Sequence, residues 1–345
     1  MNEYAQIPMK RVGPLRISGA TVQGEYAVPL ATYESPLWPS VARGARVSMQ
    51  CEGGISCTLV SERMTRSVLF EAPSAAAAVE VVSRLTSQRK HFEALVERTS
   101  RFAKLIDVHT EIAAHLLFVR FEFSTGDAAG HNMCTQAAEV LMNDLLEAFP
   151  CLKYGSLSGN YCSDKKATAV NGILGRGKHV IAELLVPRKI CRRYLKTTPE
   201  ELVQLNFQKN WVGTTLAGGL RSANAHFANM LLAFYLATGQ DAANIVEGSQ
   251  GTTIAEVRNG DLYFCVTLPH LIVGTVGNGK ELGFVQENMQ LLDLVVDRDV
   301  GENARRLACF CAAAVLCGEL SLLAALTNPG ELMQAHQRLE RKKKI

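Results

Sequence analysis

Asp164-Lys165-Lys166 follows a polar run, Ser158-Gly159-Asn160-Tyr161-Cys162-Ser163, that is rich in hydrogen-bonding groups. Two lysines beside an aspartate suit a site that binds a carboxylate and stabilises an oxyanion. On spacing alone they more readily suit a solvated loop. Asp241 comes just past a wholly apolar stretch. It either caps the next turn or sits in a cleft with a shifted pKa. Ser124-Thr125-Gly126-Asp127-Ala128-Ala129-Gly130 precedes an expected helix, and such a loop offers free backbone N–H groups to a phosphate. Gly274-Thr275-Val276-Gly277-Asn278-Gly279-Lys280-Glu281 matches the GxxxxGK of nucleotide hydrolases. The position after the lysine should carry a hydroxyl for magnesium, and Glu281 there would repel phosphates, so that reading fails. The eight histidines show no HxH or HxxxH spacing, and the ten cysteines no CxxC, so no metal site is expected. His226, in the apolar stretch, reads as a core histidine. His336 lies near the end, where titration close to neutral pH could be used.

These groups need a scaffold, and its clearest signal is in the middle of the chain. A strand at 67–71 precedes a helix capped by Ser74, with Val79, Val82, Leu85, Phe92 and Val96 at helical spacing. Strands follow at 101–108 and 114–123, then a helix at 130–148 and a strand at 152–157. That order is β-α-β-β-α-β, a ferredoxin-like unit. The expected fold is α+β: this module, residues 68–156, inserted into a larger, mixed, helix-rich domain of residues 1–67 and 157–326. In the larger domain Thr198-Pro199-Glu200-Glu201 is a capping box that starts a helix. An apolar buried helix is expected at 223–238, two short strands at 261–274, and helices at 284–295 and 302–316. Residues 327–345 have few apolar anchors, end in Arg341-Lys342-Lys343-Lys344-Ile345, and read as a mobile, solvated tail.

Bulk properties set the limits. A chain of 345 residues exceeds the size at which one core usually stops growing, so about two domains are expected. Its formal charge of +3 gives no reason to expect a nucleic-acid partner. The first ten residues are polar and broken by Pro8, unlike a signal peptide. No span reads as a membrane helix, because the most apolar one, 309–326, contains Gly318 and Glu319. Scattered free thiols fit a reducing cytoplasm.

In order and wording the motifs resemble the 3-hydroxy-3-methylglutaryl-CoA reductase family along nearly the whole chain. Pro29-Leu30-Ala31-Thr32-Tyr33-Glu34 is similar to that family's P-M-A-T-T-E, and Met64-Thr65-Arg66 fits its M-T-R. Ser100 to Leu105 matches S-R-F-A-K-L, and Gly126 to Asn132 resembles G-D-A-M-G-M-N. Gly159 to Lys166, Gly175-Arg176-Gly177-Lys178, Gly239-Gln240-Asp241-Ala242-Ala243, Gly301 to Arg305 and Gly318 to Leu322 follow closely. The wording is nearer the biosynthetic, NADPH-using class.

The resemblance implies two successive hydride transfers that take the thioester, through a mevaldyl-CoA hemithioacetal, to mevalonate, the precursor of isoprenoids. In that scheme Lys165 stabilises the carbonyl oxygen, Glu34 protonates the aldehyde oxygen, Asp241 bridges lysine and glutamate, and His336 protonates the leaving CoA thiolate. Arg66, Ser158, Asp164, Lys166 and Lys209 would hold the hydroxymethylglutaryl group, with His226 and Asn229 nearby. Ser40, Arg43 and Lys196 would meet CoA. NADPH, or NADH, would contact Ser100, Arg101, Phe102, Asp127, Ala128, Ala129, Gly130, His131, Asn132, Val276, Gly277 and Arg341. No metal is implied.

Asn278 and Lys280 replace a glycine and a threonine of the family pattern, and Ala129 and His131 replace two methionines. No counterpart of the interface segment E-N-V-I-G is seen before Ile7-Pro8. The implied assembly is a homodimer or homotetramer with active sites between subunits. Lys342 stands where some relatives carry a regulatory serine, so phosphorylation there is not expected. The alternative is a catalytically silent CoA-binding homologue with a regulatory role. Its discriminator is the set Glu34, Lys165, Asp241 and His336, which a decayed site would have little reason to keep in matching motifs.

Overall fold

The computed structural model describes residues 5–339. Strands β1 (Met9–Ser18) and β2 (Gly24–Ala31) form an antiparallel pair, followed by helix α1 (Leu37–Gln50) and the long strand β3 (Ile55–Glu71). Next come α2 (Ala75–Leu85), α3 (Arg89–Thr99), β4 (Lys104–Ala113), β5 (Leu116–Ser124), α4 (His131–Ala148) and β6 (Lys153–Ser156). Strands β7 (Gly177–Val186), β8 (Thr252–Arg258) and β9 (Asp261–Leu271) complete the sheets, and the core helix Glu302–Leu326 follows them.

β3 belongs to two sheets. Its first half lies in the order β2-β1-β3-β7-β9-β8, parallel to β1 and antiparallel to β7. Its second half pairs antiparallel with β5 and β6, and β4 pairs with β5. The order β6-β3-β5-β4, antiparallel throughout, is the one a split β-α-β unit requires. The fold is α+β, as expected, but the module's first strand is the end of a strand that begins at Ile55, not a separate element at 67–71.

Strand alternation directs each sheet onto its core. Along β7, Lys178, Val180, Ala182, Leu184 and Val186 are buried while their neighbours on the other face are partly exposed. Buried side chains fall into two clusters. One joins β1, β2, α1, β7, β9 and the core helix; the other joins the later part of β3, α2 to α4 and β5. α1 meets the core helix at Gly44, where a Cβ would lie 2.2 Å from the Cys317 carbonyl oxygen. Only glycine permits that backbone approach.

Several boundaries differ from the sequence expectation. The helix expected after Ser74 is two helices separated by a tight turn at Thr86–Gln88. Its buried stripe is Ala78, Val81 and Leu85, then Phe92 and Val96, while Val79 is 57% exposed. The two short strands expected at 261–274 are one strand. Pro269 sits where the β7–β9 register shifts between Val180↔Leu268 and Lys178↔Leu271, and such a bulge accommodates the missing N–H. The last long helix extends beyond 316 to Leu326. By length and composition it qualifies as a bilayer-crossing helix, contrary to expectation, yet 94% of its most apolar stretch is buried inside the fold. All ten cysteines are unpaired. The segment expected as a tail begins with a helix, Glu331–Leu339.

Candidate active site

The loop before β7 carries the cation. Asn160, Ser163 and Lys165 adopt left-handed backbone, with φ of 61°, 49° and 55°. Each such non-glycine residue costs on the order of 1 kcal/mol, so neighbours must hold the loop. Arg120 on β5 donates to the Tyr161 carbonyl at 3.2 Å, and Asn171 donates to that of Ser163 at 3.0 Å. Arg176 reaches Asp164 at 2.6 Å.

Held this way, Lys165 Nζ lies 2.7 Å from Asp241 Oδ2. The Asp241 hydrogen bond raises the pKa of the ammonium. Burial pushes the Asp241 carboxyl up, but Lys165 and the Ala243 N–H outweigh it, leaving the group below its ordinary value. Asp241 accepts from Ala243 N at 3.0 Å, so it caps the turn Ala242–Asn244 as well as pairing with Lys165. Their side chains are 39% and 46% exposed, which leaves the ammonium open to a substrate oxygen.

Beneath this pair is a charge network the sequence did not reveal. The buried Arg176 donates to Asp164, to Thr65 O and Oγ1 at 2.8 Å, and to Glu247 at 3.3 Å. Glu247 is buried, and burial raises its carboxyl pKa against the pull of Arg176. Burial also pushes Asp164 up, but His131 and Arg176 bring it well below the carboxylate range. His131 Nε2 lies 3.6 Å from Asp164 and 3.2 Å from Asn244, which itself donates to Glu247 at 3.1 Å. Lys166 donates to the Asp164 carbonyl at 3.1 Å, and Arg66 to Ser158 at 3.3 Å.

A second group lies in a separate groove. Glu34, Ser40, Arg43, His226 and Asn229 line it together with Glu331. Arg43 pairs with Glu331 at 2.6 Å and donates to the Tyr194 carbonyl at 3.0 Å, two residues before Lys196. Among the described residues, no hydrogen bond or ion pair joins Glu34 to Lys165 or Asp241. Lys209 is exposed on the π-helical turn Asn206–Gly213, whose Asn206 and Asn210 are buried. The side chain of His336, on the C-terminal helix, lies outside the described residues, as do Arg341 and Lys342.

His226 is not inside the apolar helix but caps its start, ahead of Phe227–Ala237. Its Nε2 lies 3.0 Å from the Gly318 carbonyl oxygen. The adjacent Glu319 is buried and accepts from Ala225 N at 2.6 Å, His226 N at 3.1 Å and Thr253 Oγ1 at 3.0 Å. A lone acid in an apolar run was the sequence signal for this role. Glu319→Gln turns one acceptor into a donor facing N–H groups. A stability loss of about 2–3 kcal/mol is expected in urea unfolding, with a higher KM for any ligand of the groove. Unchanged stability and KM would reject that role.

The loops expected to meet a dinucleotide adjoin the cation. Gly130, at φ 93°, starts α4, and His131 and Asn132 form its first turn. Thr275 N donates to the Asp127 carbonyl at 2.8 Å, and Ala128 bridges Val276. A Cβ on Gly274 would lie 2.4 Å from Ala129 N, so only glycine fits. The Asp127 carboxylate accepts from Gly301 N and Ala304 N at 2.9 Å and thereby caps the core helix. Arg101, stacked on Phe102, lines a groove with Lys104 and with Glu62 and Arg305, which are paired with each other, and Ser100 accepts from Phe102 N at 3.1 Å. Gly277 faces open space. A helix N-terminus, an open glycine turn and a basic groove fit a phosphorylated dinucleotide.

Comparison with known proteins bears on this arrangement. Residues 3–341 match the family described as hydroxymethylglutaryl-coenzyme A reductase. The 3-hydroxy-3-methylglutaryl-coenzyme A reductase of Pyrococcus horikoshii is 47% identical, over 97% of this chain and 81% of its own length. That of Aeropyrum pernix is 41% identical, over 97% and 80%. The class II enzyme from Streptococcus pneumoniae, solved bound to NADPH, shares the fold with a TM-score of 0.74 at 21% identity, covering 94% of this chain and 86% of that one. With its motifs in order and its cation and carboxylate paired, the chain belongs to the hydroxymethylglutaryl-coenzyme A reductase family.

Proposed function

We propose that the protein reduces 3-hydroxy-3-methylglutaryl-CoA to mevalonate and CoA with two equivalents of NADPH. The observation that carries this is the 2.7 Å contact between Lys165 and Asp241 beside the dinucleotide-side loops. NADPH, when bound, supplies the hydride for each reduction. Lys165 Nζ receives the thioester oxygen as it becomes anionic, and Asp241 keeps that ammonium protonated and aimed. Arg66 and Ser158 orient the hydroxymethylglutaryl carboxylate. Glu34 delivers the proton to the aldehyde oxygen and His336 the one to the CoA sulfur. Arg43, with Ser40 and Lys196, holds the CoA phosphates; in this structure Glu331 occupies the Arg43 guanidinium.

The two clusters suggest how the site is completed. Lys165 and Asp241 of one subunit would face the Glu34 groove of another in a homodimer or larger ring. Exposed Ile173, Phe207 and Leu216, at 74%, 61% and 83%, support a surface that a second copy covers. NADPH oxidation with 3-hydroxy-3-methylglutaryl-CoA tests the reaction, and NADH in its place tests cofactor choice. No turnover with either cofactor would favour the silent CoA-binding homologue. Mixing and reassembling inactive Lys165→Ala and Glu34→Ala subunits should restore about a quarter of the wild-type rate. No restoration in verified mixed oligomers would place each site within one chain.

A further inference from the structure

Lys280 is a buried lysine, 8% exposed, at a position where the family pattern has threonine. Its Nζ donates to the carbonyl of Gly239, two residues before Asp241. The two backbones touch there, and a Cβ on Gly239 would lie 2.6 Å from the Gly279 carbonyl oxygen. Gln240, between Gly239 and Asp241, donates to Gly274 O at 3.1 Å and accepts from Gly274 N at 2.9 Å. Residues 274–276 in turn bond the Asp127–Ala128 backbone. The dinucleotide-side loops and the segment carrying Asp241 are therefore joined, with Lys280 as the only ammonium among the described bonds that join them.

We infer that Lys280 is a positioning residue for the reductive step, locking the loop of residues 274–280 to the Gly239 carbonyl so that cofactor side and Asp241 are set together. The inference rests on the reductase reading for its chemistry. A charge-assisted bond is roughly twice as strong as a neutral one, so losing the ammonium loosens Asp241 and, through it, Lys165. Burial pushes the Lys280 pKa down to about 8, with Glu281 opposing the shift. Among the described residues, Asp241 on the adjoining segment pairs with Lys165, and Glu287 of the helix Gly283–Leu291 pairs with Arg11. That helix presents the uncharged Gln286, which donates to the Lys280 carbonyl.

The test compares the full-length wild type with Lys280→Met and Lys280→Gln. Methionine keeps the length without a donor, and glutamine keeps a neutral N–H. Lys280→Met should lower kcat about 5- to 10-fold, raise the NADPH Kd severalfold in a fluorescence titration, and leave the KM for the CoA thioester unchanged. Lys280→Gln, which keeps an N–H but not the charge, should recover only a minor part of the kcat. Wild-type kcat should fall as pH rises through the Lys280 pKa, and Lys280→Gln should lack that limb. A Lys280→Met protein with wild-type kcat and NADPH Kd overturns the inference. So does a pH profile shared by wild type and Lys280→Gln, which decides the matter even if Lys280→Met does not fold. Wild type without turnover would sink the reductase reading instead, while the NADPH Kd ratio would still report on the loop.

Discussion

Lys165→Ala is expected to lower kcat for reduction of 3-hydroxy-3-methylglutaryl-CoA by about 10²- to 10³-fold, the usual cost of removing one donor to a developing oxyanion. On the proposed reading the ammonium would act where negative charge appears on the thioester oxygen, so its loss should fall on kcat and kcat/KM alike. KM should move little, because on the proposed reading Arg66, Ser158 and Lys166 would hold the substrate carboxylate instead. Stability should also change little. Both partners are more than a third exposed, and a pair so placed contributes weakly to folding. Lys165→Arg keeps the charge but spreads it over a planar fork, so it should rescue only partly. Steady-state NADPH oxidation and thermal unfolding of the three proteins check this. A Lys165→Ala enzyme within about tenfold of wild-type kcat would remove Lys165 from the reacting oxygen.

The chemistry of Lys165 and Asp241 was legible because each sits in a motif of recognisable wording. Their contact follows from the family resemblance alone, since it depends on a loop with three left-handed residues that no pattern in Ser158 to Lys166 announces. Arg176 was in view as part of Gly175-Arg176-Gly177-Lys178, yet its role needs Glu247 and Thr65, which come from elements distant in the chain. Buried ion networks leave no periodic trace, whereas strands and helices do. Even periodicity misleads where residues are small. In α2 the valines of Ala75–Leu85 suggested a stripe through Val79, but Ala78 and Val81 face the core. Alanine contributes little to an apolar pattern, so the stripe was read one position away. β9 shows another limit. Its bulge at Pro269 and His270 depends on pairing with β7, and sequence alone made it look like a break between two strands. Glu319 had the one reliable signal, an acid in an apolar run. It counted correctly against a lipid-facing helix but did not reveal the backbone N–H groups it accepts from.

Arg176→Met should produce the largest loss of stability. The guanidinium is wholly buried, and methionine fills much of its volume while leaving Glu247 without its cation and Asp164 with only His131, 3.6 Å away. Breaking a buried pair by removing one member costs about 3–5 kcal/mol, mainly because the remaining charge is stranded. Urea unfolding should show that loss, and Arg176→Met combined with Glu247→Gln should recover part of it. The pH dependence separates the two acids. Asp164 is depressed in the wild type. Its stabilisation is therefore present above the ordinary aspartate pKa of about 3.9 and is lost as pH falls through the folded value. Glu247 is raised, so its folded state favours the proton: stability is greater below its unfolded pKa and declines as pH rises through the folded one. Without Arg176 the Asp164 contribution shrinks and the Glu247 shift grows. The variant should therefore gain stability between neutral pH and about pH 5, relative to wild type. A variant within about 1 kcal/mol of wild type, with the same pH profile, would mean that Glu247 is neutral in the native protein and that Arg176 serves the loop through Asp164 and Thr65 alone.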